Sequence, residues 1–228
     1  MASFRAQSYA HWELVLVNAS PEDGELAEEV AAAVASDERI RSITLHKNLG
    51  ITLNTAAGIR EATGDFVGFV DHDDTIEPDL FFHYTEAVNK EPETDVLYCD
   101  EDKIDPSGTH VWPFLKPQLE IDLLTCKNYI SHMLAVRRSL LMSLEFDNPA
   151  FEGAQDHHLT LQAVEKARRV THVPRVLYHW RMWETSTATS GDAKGYAQEA
   201  GMNAVRAHFK RIGVDVEVTE GERPFSYH

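Results

Sequence analysis

The stretch that decides the fold is GDFVGFVDHDD, residues 64–74. Its Val- and Phe-rich part is typical of a buried strand, and the strand leads into three carboxylates, Asp71, Asp73 and Asp74. Open α/β sheets bind ligands at this C-terminal edge of their strands. Two like charges about 4 Å apart repel by about 4 kcal/mol at an effective dielectric constant of 20. The sequence therefore predicts that residues 71–74, the acidic loop, require a compensating cation such as Mg²⁺ or Mn²⁺.

The sequence of the acidic loop is also compared with two other structures, a solvated turn and a calcium-binding loop. A solvated acidic turn before a helix stays open, because Thr75 and Pro78 are start signals for such a helix. A calcium-binding EF-hand loop is excluded. Counted from Asp71, its sixth position is Ile76 where Gly is required, and its twelfth is Phe82 where Glu is required.

Strand and helix patterns alternate on the N-terminal side of this stretch. We predict strands over 11–17 and 41–45, and helices over 25–35 and 53–62. This order indicates an α/β fold with a mostly parallel sheet flanked by helices. A doubly wound sheet would have a further strand ahead of residues 1–10. We therefore expect residues 1–228 to be a single domain that lacks its first strand and is a fragment of a longer protein.

The C-terminal side continues the alternation less regularly. A second acidic run, Asp100–Asp102, follows a predicted strand, and a charged hairpin bend is the simpler interpretation of it. The predicted elements are helices over 79–89, 137–144, 159–166 and 193–211, strands over 95–99 and 175–181, and an edge strand over 214–218.

Composition limits the function classes. Of the 228 residues, 43% are hydrophobic, which excludes wholesale disorder. The formal net charge of -16 argues against a nucleic-acid partner, because phosphate backbones are held by clustered Lys and Arg. The two cysteines, Cys99 and Cys126, do not form a CxxC motif, so we expect a reduced, cytoplasmic location.

An ordered set of motifs resembles a known family. The set comprises QSY at 7–9 leading into WEL at 12–14, NLG at 48–50 with GD at 64–65, DHDD at 71–74, QD at 155–156 and YHWR at 178–181. Together they resemble the family 2 glycosyltransferases, inverting enzymes of the GT-A fold. Within that family, they are similar to the group proposed to build rhamnose-containing and related bacterial surface polysaccharides. The similarity runs from about Gln7 to the late 180s.

The resemblance implies a role for each motif. Asp73 and Asp74 would bind the Mg²⁺ or Mn²⁺ ion, with His179 completing the metal shell, and Asp156 would be the catalytic base. The remaining substrate-binding positions would be Asp71, Asn54, Gln155, Arg181, Trp180, Lys116 and His132. Three structural alternatives stay open: Asp156 as the cap of a helix at 159, His179 as a satisfied buried histidine, and Lys116 and His132 as ordinary loop residues.

The implied partners are a nucleotide-sugar donor of the UDP, dTDP or GDP type and a glycan or lipid-linked glycan acceptor. These partners are compatible with a further domain in a longer chain. They are also compatible with a peripheral position of the protein at the inner face of the membrane. Asn18 departs from the pattern, since many members carry an Asp there that contacts the base. Two alternatives are a non-catalytic GT-A-like module that packs against a partner domain and a metal-dependent phosphohydrolase that uses the same aspartates.

Overall fold

The central strand of the fold is buried on both faces. The structure, a computed structural model, describes residues 1–182 and 191–228, without the side chains of 191–194. The predicted family similarity through the late 180s extends into 183–190, outside the described residues. The strands are β1 (Leu14–Asn18), β2 (Ile40–Thr44), β3 (Phe66–Gly68), β4 (Thr75–Ile76), β5 (Thr94–Ile104), β6 (His110–Phe114), β7 (Ala135–Arg137) and β8 (Arg169–Arg181).

Helices flank these strands. They are α1 (Ala2–Arg5), α2 (Gly24–Ser36), α3 (Ile51–Glu61), α4 (Leu80–Lys90), α5 (Ile121–Cys126), α6 (Arg138–Leu141), α7 (Gln155–Lys166) and α8 (Gly191–Arg211), with a short 3₁₀ helix at Pro149–Phe151. No helix in the described part of the chain combines the length and apolar character needed to span a bilayer.

The strands form two sheets. β1 and β2 pair in parallel, and the larger sheet has the order β3-β7-β5-β8-β4, with β6 on β5. The predicted α/β fold is confirmed, but strand directions are more mixed than the mostly parallel sheet we expected. β5 and β8 are parallel, whereas the other described pairs of the larger sheet are antiparallel. One reason is that a short turn at 105–109 joins β5 to β6, which only antiparallel strands allow.

Two apolar clusters lie on opposite faces of β5. Val96 and Tyr98 belong to one cluster, while Leu97 and Cys99 belong to the other. This follows from the alternation of side chains along a strand, and it anchors β5 in the core. β5 continues to Ile104, so the acidic run at 100–102 lies within a strand, and the predicted hairpin bend follows it at 105–109.

The predicted edge strand at 214–218 is absent from the described C-terminal region. α8 is followed by Gly213, whose φ of 74° reverses the chain. Val218 is then buried in the core, and its carbonyl accepts a hydrogen bond from Arg206 Nη2 at 2.9 Å. The Arg206 side chain thus satisfies a backbone carbonyl that a neighbouring strand would satisfy if residues 214–218 formed the predicted edge strand.

Candidate functional site

The acidic loop lies between β3 and β4 and is held in place by the end of β8. The Tyr178 hydroxyl donates to Asp74 Oδ2 at 2.6 Å, and the Arg181 backbone N–H donates to Asp74 Oδ1 at 2.8 Å. Arg181 Nε also donates to the backbone carbonyl of Asp73 at 3.0 Å. The structure therefore brings together two motifs that are about 100 residues apart in the sequence.

The electrostatics of the acidic loop fit a divalent cation. Burial raises the pKa of Asp74, and the negative charges of Asp71 and Asp73 raise it further, against the hydrogen bonds from Tyr178 and Arg181 that lower it. Burial and the charge of Asp74 also raise the pKa of Tyr178. This crowding of negative charge is what an oxygen-liganded Mg²⁺ or Mn²⁺ ion relieves.

The rings of His132 and Trp180 lie beside the acidic loop. The His132 ring stacks on Tyr178 with centroids 4.9 Å apart, lies 5.5 Å from the Trp180 ring, and has Nε2 3.5 Å from Asp71 Oδ2. His132 Nδ1 and Trp180 Nε1 are both buried and have no hydrogen-bond partner among the described residues. An unsatisfied buried polar group costs about 1–3 kcal/mol, so this pair leaves hydrogen-bonding capacity unused beside the acidic loop.

The Lys116 side chain is fully buried next to the backbone of His132. Its Nζ donates to the carbonyls of Ile130 and His132 at 2.6 and 2.5 Å, and to Glu101 Oε2 at 2.8 Å. An ammonium group has three protons, and these contacts use all of them. The geometry therefore favours a positioning role for Lys116 over the direct substrate contact that the sequence predicted.

Replacing Lys116 with Met should lower the free energy of unfolding by about 3 kcal/mol, because Glu101 would keep a buried charge without its partner. Chemical denaturation measures this. The matched control is Lys127→Met, since Lys127 is exposed and its Nζ lies 5.4 Å from the Phe114 ring centroid. We expect the control to lose about 0.5–1 kcal/mol. Equal losses in the two variants would contradict the positioning role.

Asp156 lies in the first turn of α7 and is linked to the acidic loop by residues 128–132, the connecting segment. Asn128 Nδ2 donates to Asp156 Oδ2 at 2.9 Å at one end of this segment, and His132 approaches Asp71 at the other. The connecting segment therefore contacts Asp156 with one end and the acidic loop with the other, and its four residue steps span at most about 14 Å. The helix begins at Gln155 after Ala154, so the alternative of Asp156 as the cap of a helix at 159 is wrong.

Two of the predicted substrate-binding side chains satisfy local turns in the structure. Gln155 Oε1 accepts from the Gly153 N–H at 2.9 Å. Asn54 Oδ1 accepts from the Leu49 N–H at 3.2 Å, and its Nδ2 donates to Asn48 Oδ1 at 2.9 Å. These contacts give both residues a structural role, and a direct contact with substrate is not needed to explain them.

His179 faces away from the predicted metal shell. Its Nδ1 lies 2.6 Å from Asp102 Oδ1, and its Nε2 lies 3.2 Å from Glu77 Oε1. Alternate residues of a strand point to opposite faces, so His179 does not share the face on which Tyr178 and Trp180 meet His132. Within the part of the chain that the structure describes, the residues whose ligand atoms cluster within 4.8 Å are Asp102, His110 and His179. Sequence reasoning named His179 as a metal ligand but with the wrong partners, and it missed Asp102 and His110, for which the acidic run at 100–102 was the available signal.

The fold is that of the GT-A glycosyltransferases. The chain belongs to glycosyl transferase family 2, which matches residues 1–144.

Solved structures with this fold include Staphylococcus aureus TarS 1-349 in complex with UDP-GlcNAc and in complex with UDP. The TM-scores are 0.72 and 0.71, both at 18% identity, over 95% of this chain and 62% and 61% of TarS 1-349. At this level of identity, the similarity concerns the fold.

Two curated relatives align along nearly all of this chain. The chain is 36% identical over 228 residues to the uncharacterized protein y4gI of Sinorhizobium fredii (strain NBRC 101917 / NGR234), covering 99% of the chain and 25% of that protein. It is 35% identical over 219 residues to the O-antigen biosynthesis protein RfbC of Myxococcus xanthus, covering 96% of the chain and 17% of RfbC. The chain thus spans a quarter or less of these relatives.

Proposed function

We propose that this chain is an inverting, metal-dependent glycosyltransferase domain that moves a hexosyl or rhamnosyl group from a nucleotide-diphosphate donor to a glycan acceptor during cell-surface polysaccharide synthesis. The observation that carries the proposal is the acidic loop, held by β8 beside the unsatisfied His132 Nδ1 and Trp180 Nε1. Membership of family 2, the name of RfbC and the nucleotide complexes of TarS support the same reaction class.

The acidic loop would receive the donor diphosphate. Asp71 and Asp73 would hold the Mg²⁺ or Mn²⁺ ion together with Asp74, whose carboxylate Tyr178 and Arg181 orient. When bound, this ion neutralises the charge that develops on the leaving diphosphate. The guanidinium of Arg181 has five N–H donors, and donors beyond the Nε that contacts Asp73 would bind phosphate oxygens.

Asp156 would act as the general base. Its Oδ2 accepts from Asn128, which fixes the carboxylate, so the proton of the acceptor hydroxyl would pass to the other oxygen, Oδ1. The acceptor oxygen then bonds to the anomeric carbon while the bond from that carbon to the diphosphate oxygen breaks. Attack opposite the leaving group inverts the configuration, and the nucleoside diphosphate departs with the bonding electrons.

We place this reaction in the cytoplasm. A lipid-linked glycan acceptor would be met there at the inner face of the membrane. His132 and Trp180 would contact the transferred sugar or the acceptor, since their rings lie beside the acidic loop and each keeps a buried ring nitrogen without a hydrogen-bond partner among the described residues.

Calorimetry with UDP-, dTDP- and GDP-sugars, with and without Mn²⁺, tests the proposal. We expect Mn²⁺-dependent binding of one donor class. The Trp180→Phe variant loses one hydrogen-bond donor and keeps an aromatic ring. It should therefore show donor binding that is about 5-fold weaker by calorimetry, or an acceptor KM that is about 5-fold higher by initial rates. Trp112→Phe is the matched control, since the Trp112 side chain is 66% exposed. No metal-dependent heat with any donor would favour the non-catalytic module instead.

A further inference from the structure

Three side chains from three strands converge on the side of β8 away from Tyr178. Asp102 of β5 lies between two imidazoles, with His179 Nδ1 of β8 2.6 Å from its Oδ1 and His110 Nδ1 of β6 2.9 Å from its Oδ2. The two rings are perpendicular, with centroids 4.5 Å apart. Two nitrogens and a carboxylate oxygen therefore point into one small volume.

We call Asp102, His110 and His179 the His–Asp cluster. Glu77 contacts the cluster through the second ring nitrogen of His179. Glu77 Oε1 lies 3.2 Å from His179 Nε2, so the two nitrogens of the His179 ring face different carboxylates. If Nε2–H donates to Glu77, Nδ1 directs a lone pair at Asp102, and two acceptors at that distance need a cation between them. Either a second proton or a metal ion satisfies this requirement. A carboxylate on the outer nitrogen is also the usual partner of a metal-bound histidine.

We propose that the His–Asp cluster binds a divalent transition-metal ion of the zinc class through His110 Nδ1, His179 Nδ1 and an oxygen of Asp102. Imidazole nitrogens suit Zn²⁺ and Co²⁺, whereas Mg²⁺ prefers oxygen ligands. The ligand atoms lie within 4.8 Å of one another, and zinc bonds of about 2.0–2.2 Å place neighbouring ligands about 3.3–3.5 Å apart. A small outward movement of the two rings therefore accommodates the ion.

The surroundings give the ion both burial and access. The side chains of His179 and Asp102 are 5% and 11% exposed, whereas that of His110 is 50% exposed. The ion would enter past His110 and keep one position for water. It would tie β5 and β6 to the part of β8 that holds Asp74, which is a role separate from the oxygen-liganded ion proposed at the acidic loop.

Co²⁺ is the probe for this site, because its visible absorption reports nitrogen ligands and low coordination number. After chelator treatment, the 228-residue chain should bind Co²⁺ with visible bands that Zn²⁺ removes by displacement. His110→Ala should weaken binding at least about 10-fold, and Glu77→Gln about 10-fold. His46→Ala, at an exposed histidine on another part of the chain, is the matched control and should bind as the unmodified chain does.

Asp73→Asn separates this site from the proposed function. It should leave the Co²⁺ spectrum unchanged, and the spectrum does not depend on whether the chain transfers sugar. Binding that is lost in Asp73→Asn and kept in His110→Ala would assign the ion to the acidic loop and overturn the inference. Absence of Co²⁺ and Zn²⁺ binding to the folded, unmodified chain would also overturn it, and would make the cluster a proton-linked network. Circular dichroism confirms the fold of each variant.

Discussion

Replacing Asp156 with Asn is expected to lower the rate of sugar transfer by about 10²- to 10⁴-fold while the fold is retained. Asn has nearly the same shape, and its side-chain oxygen can still accept the hydrogen bond from Asn128 Nδ2. An amide cannot take a proton from the acceptor hydroxyl, so the loss should fall on kcat. Donor affinity should change little, because the donor would bind at the acidic loop. Initial rates at saturating donor, together with the donor Kd, measure both effects.

Asp122→Asn is the matched control for this experiment. Asp122 is also in the first turn of a helix, α5, and it is exposed. Loss of its charge should therefore have the same small effect on helix stability, about 0.3–1 kcal/mol, with no effect on transfer. If Asp156→Asn kept more than a tenth of the original kcat, Asp156 would not be the base, and its bond to Asn128 would be purely structural.

Local sequence patterns carried much of the fold prediction. The alternation of apolar strands and amphipathic helices predicts the first half of the chain well, because each of these elements is specified by its own residues. The ordered motifs also predict that residues 71–74 meet residues 178–181. The Tyr178–Asp74 bond, across 104 positions, shows this contact in the structure.

Side-chain direction at the end of β8 could not be predicted in the same way. The pairing of β5 with β8 shifts register at Cys99/Asp100 and again at Asp100/Glu101. A shift of one residue moves a side chain to the other face of a sheet, so these irregularities decide which residues His179 meets. No local pattern in the sequence records them.

The positioning role of Lys116 could not be predicted from the sequence for a related reason. Next to Pro117, it looks like an exposed loop lysine that is free to bind substrate. Its burial depends on Glu101 and on the carbonyls of Ile130 and His132, which reach it from two other parts of the chain. Such convergence appears only once the tertiary structure is formed.

Replacing Asp73 with Asn is expected to weaken Mn²⁺-dependent donor binding strongly, so that it is lost at the Mn²⁺ concentration that suffices for the unmodified chain, and to lower transfer by at least about 10²- to 10³-fold. The substitution removes one negative charge from the acidic loop and leaves the backbone carbonyl of residue 73, which accepts from Arg181 Nε, in place. The loop should therefore keep its position while losing affinity for the cation. Calorimetry with the donor across a Mn²⁺ titration, followed by initial rates, measures the change.

Asp65→Asn is the matched control. Asp65 is exposed and lies directly before β3, whereas the acidic loop follows the other end of this strand. It removes the same formal charge from the chain without altering the acidic loop, so donor binding should be unchanged. Higher Mn²⁺ should partly restore donor binding to Asp73→Asn, since a weakened site fills at higher ion concentration. A folded Asp73→Asn chain that bound donor and Mn²⁺ as tightly as the Asp65→Asn chain would remove the acidic loop from the catalytic site, and the excess negative charge around Asp74 would then require another explanation.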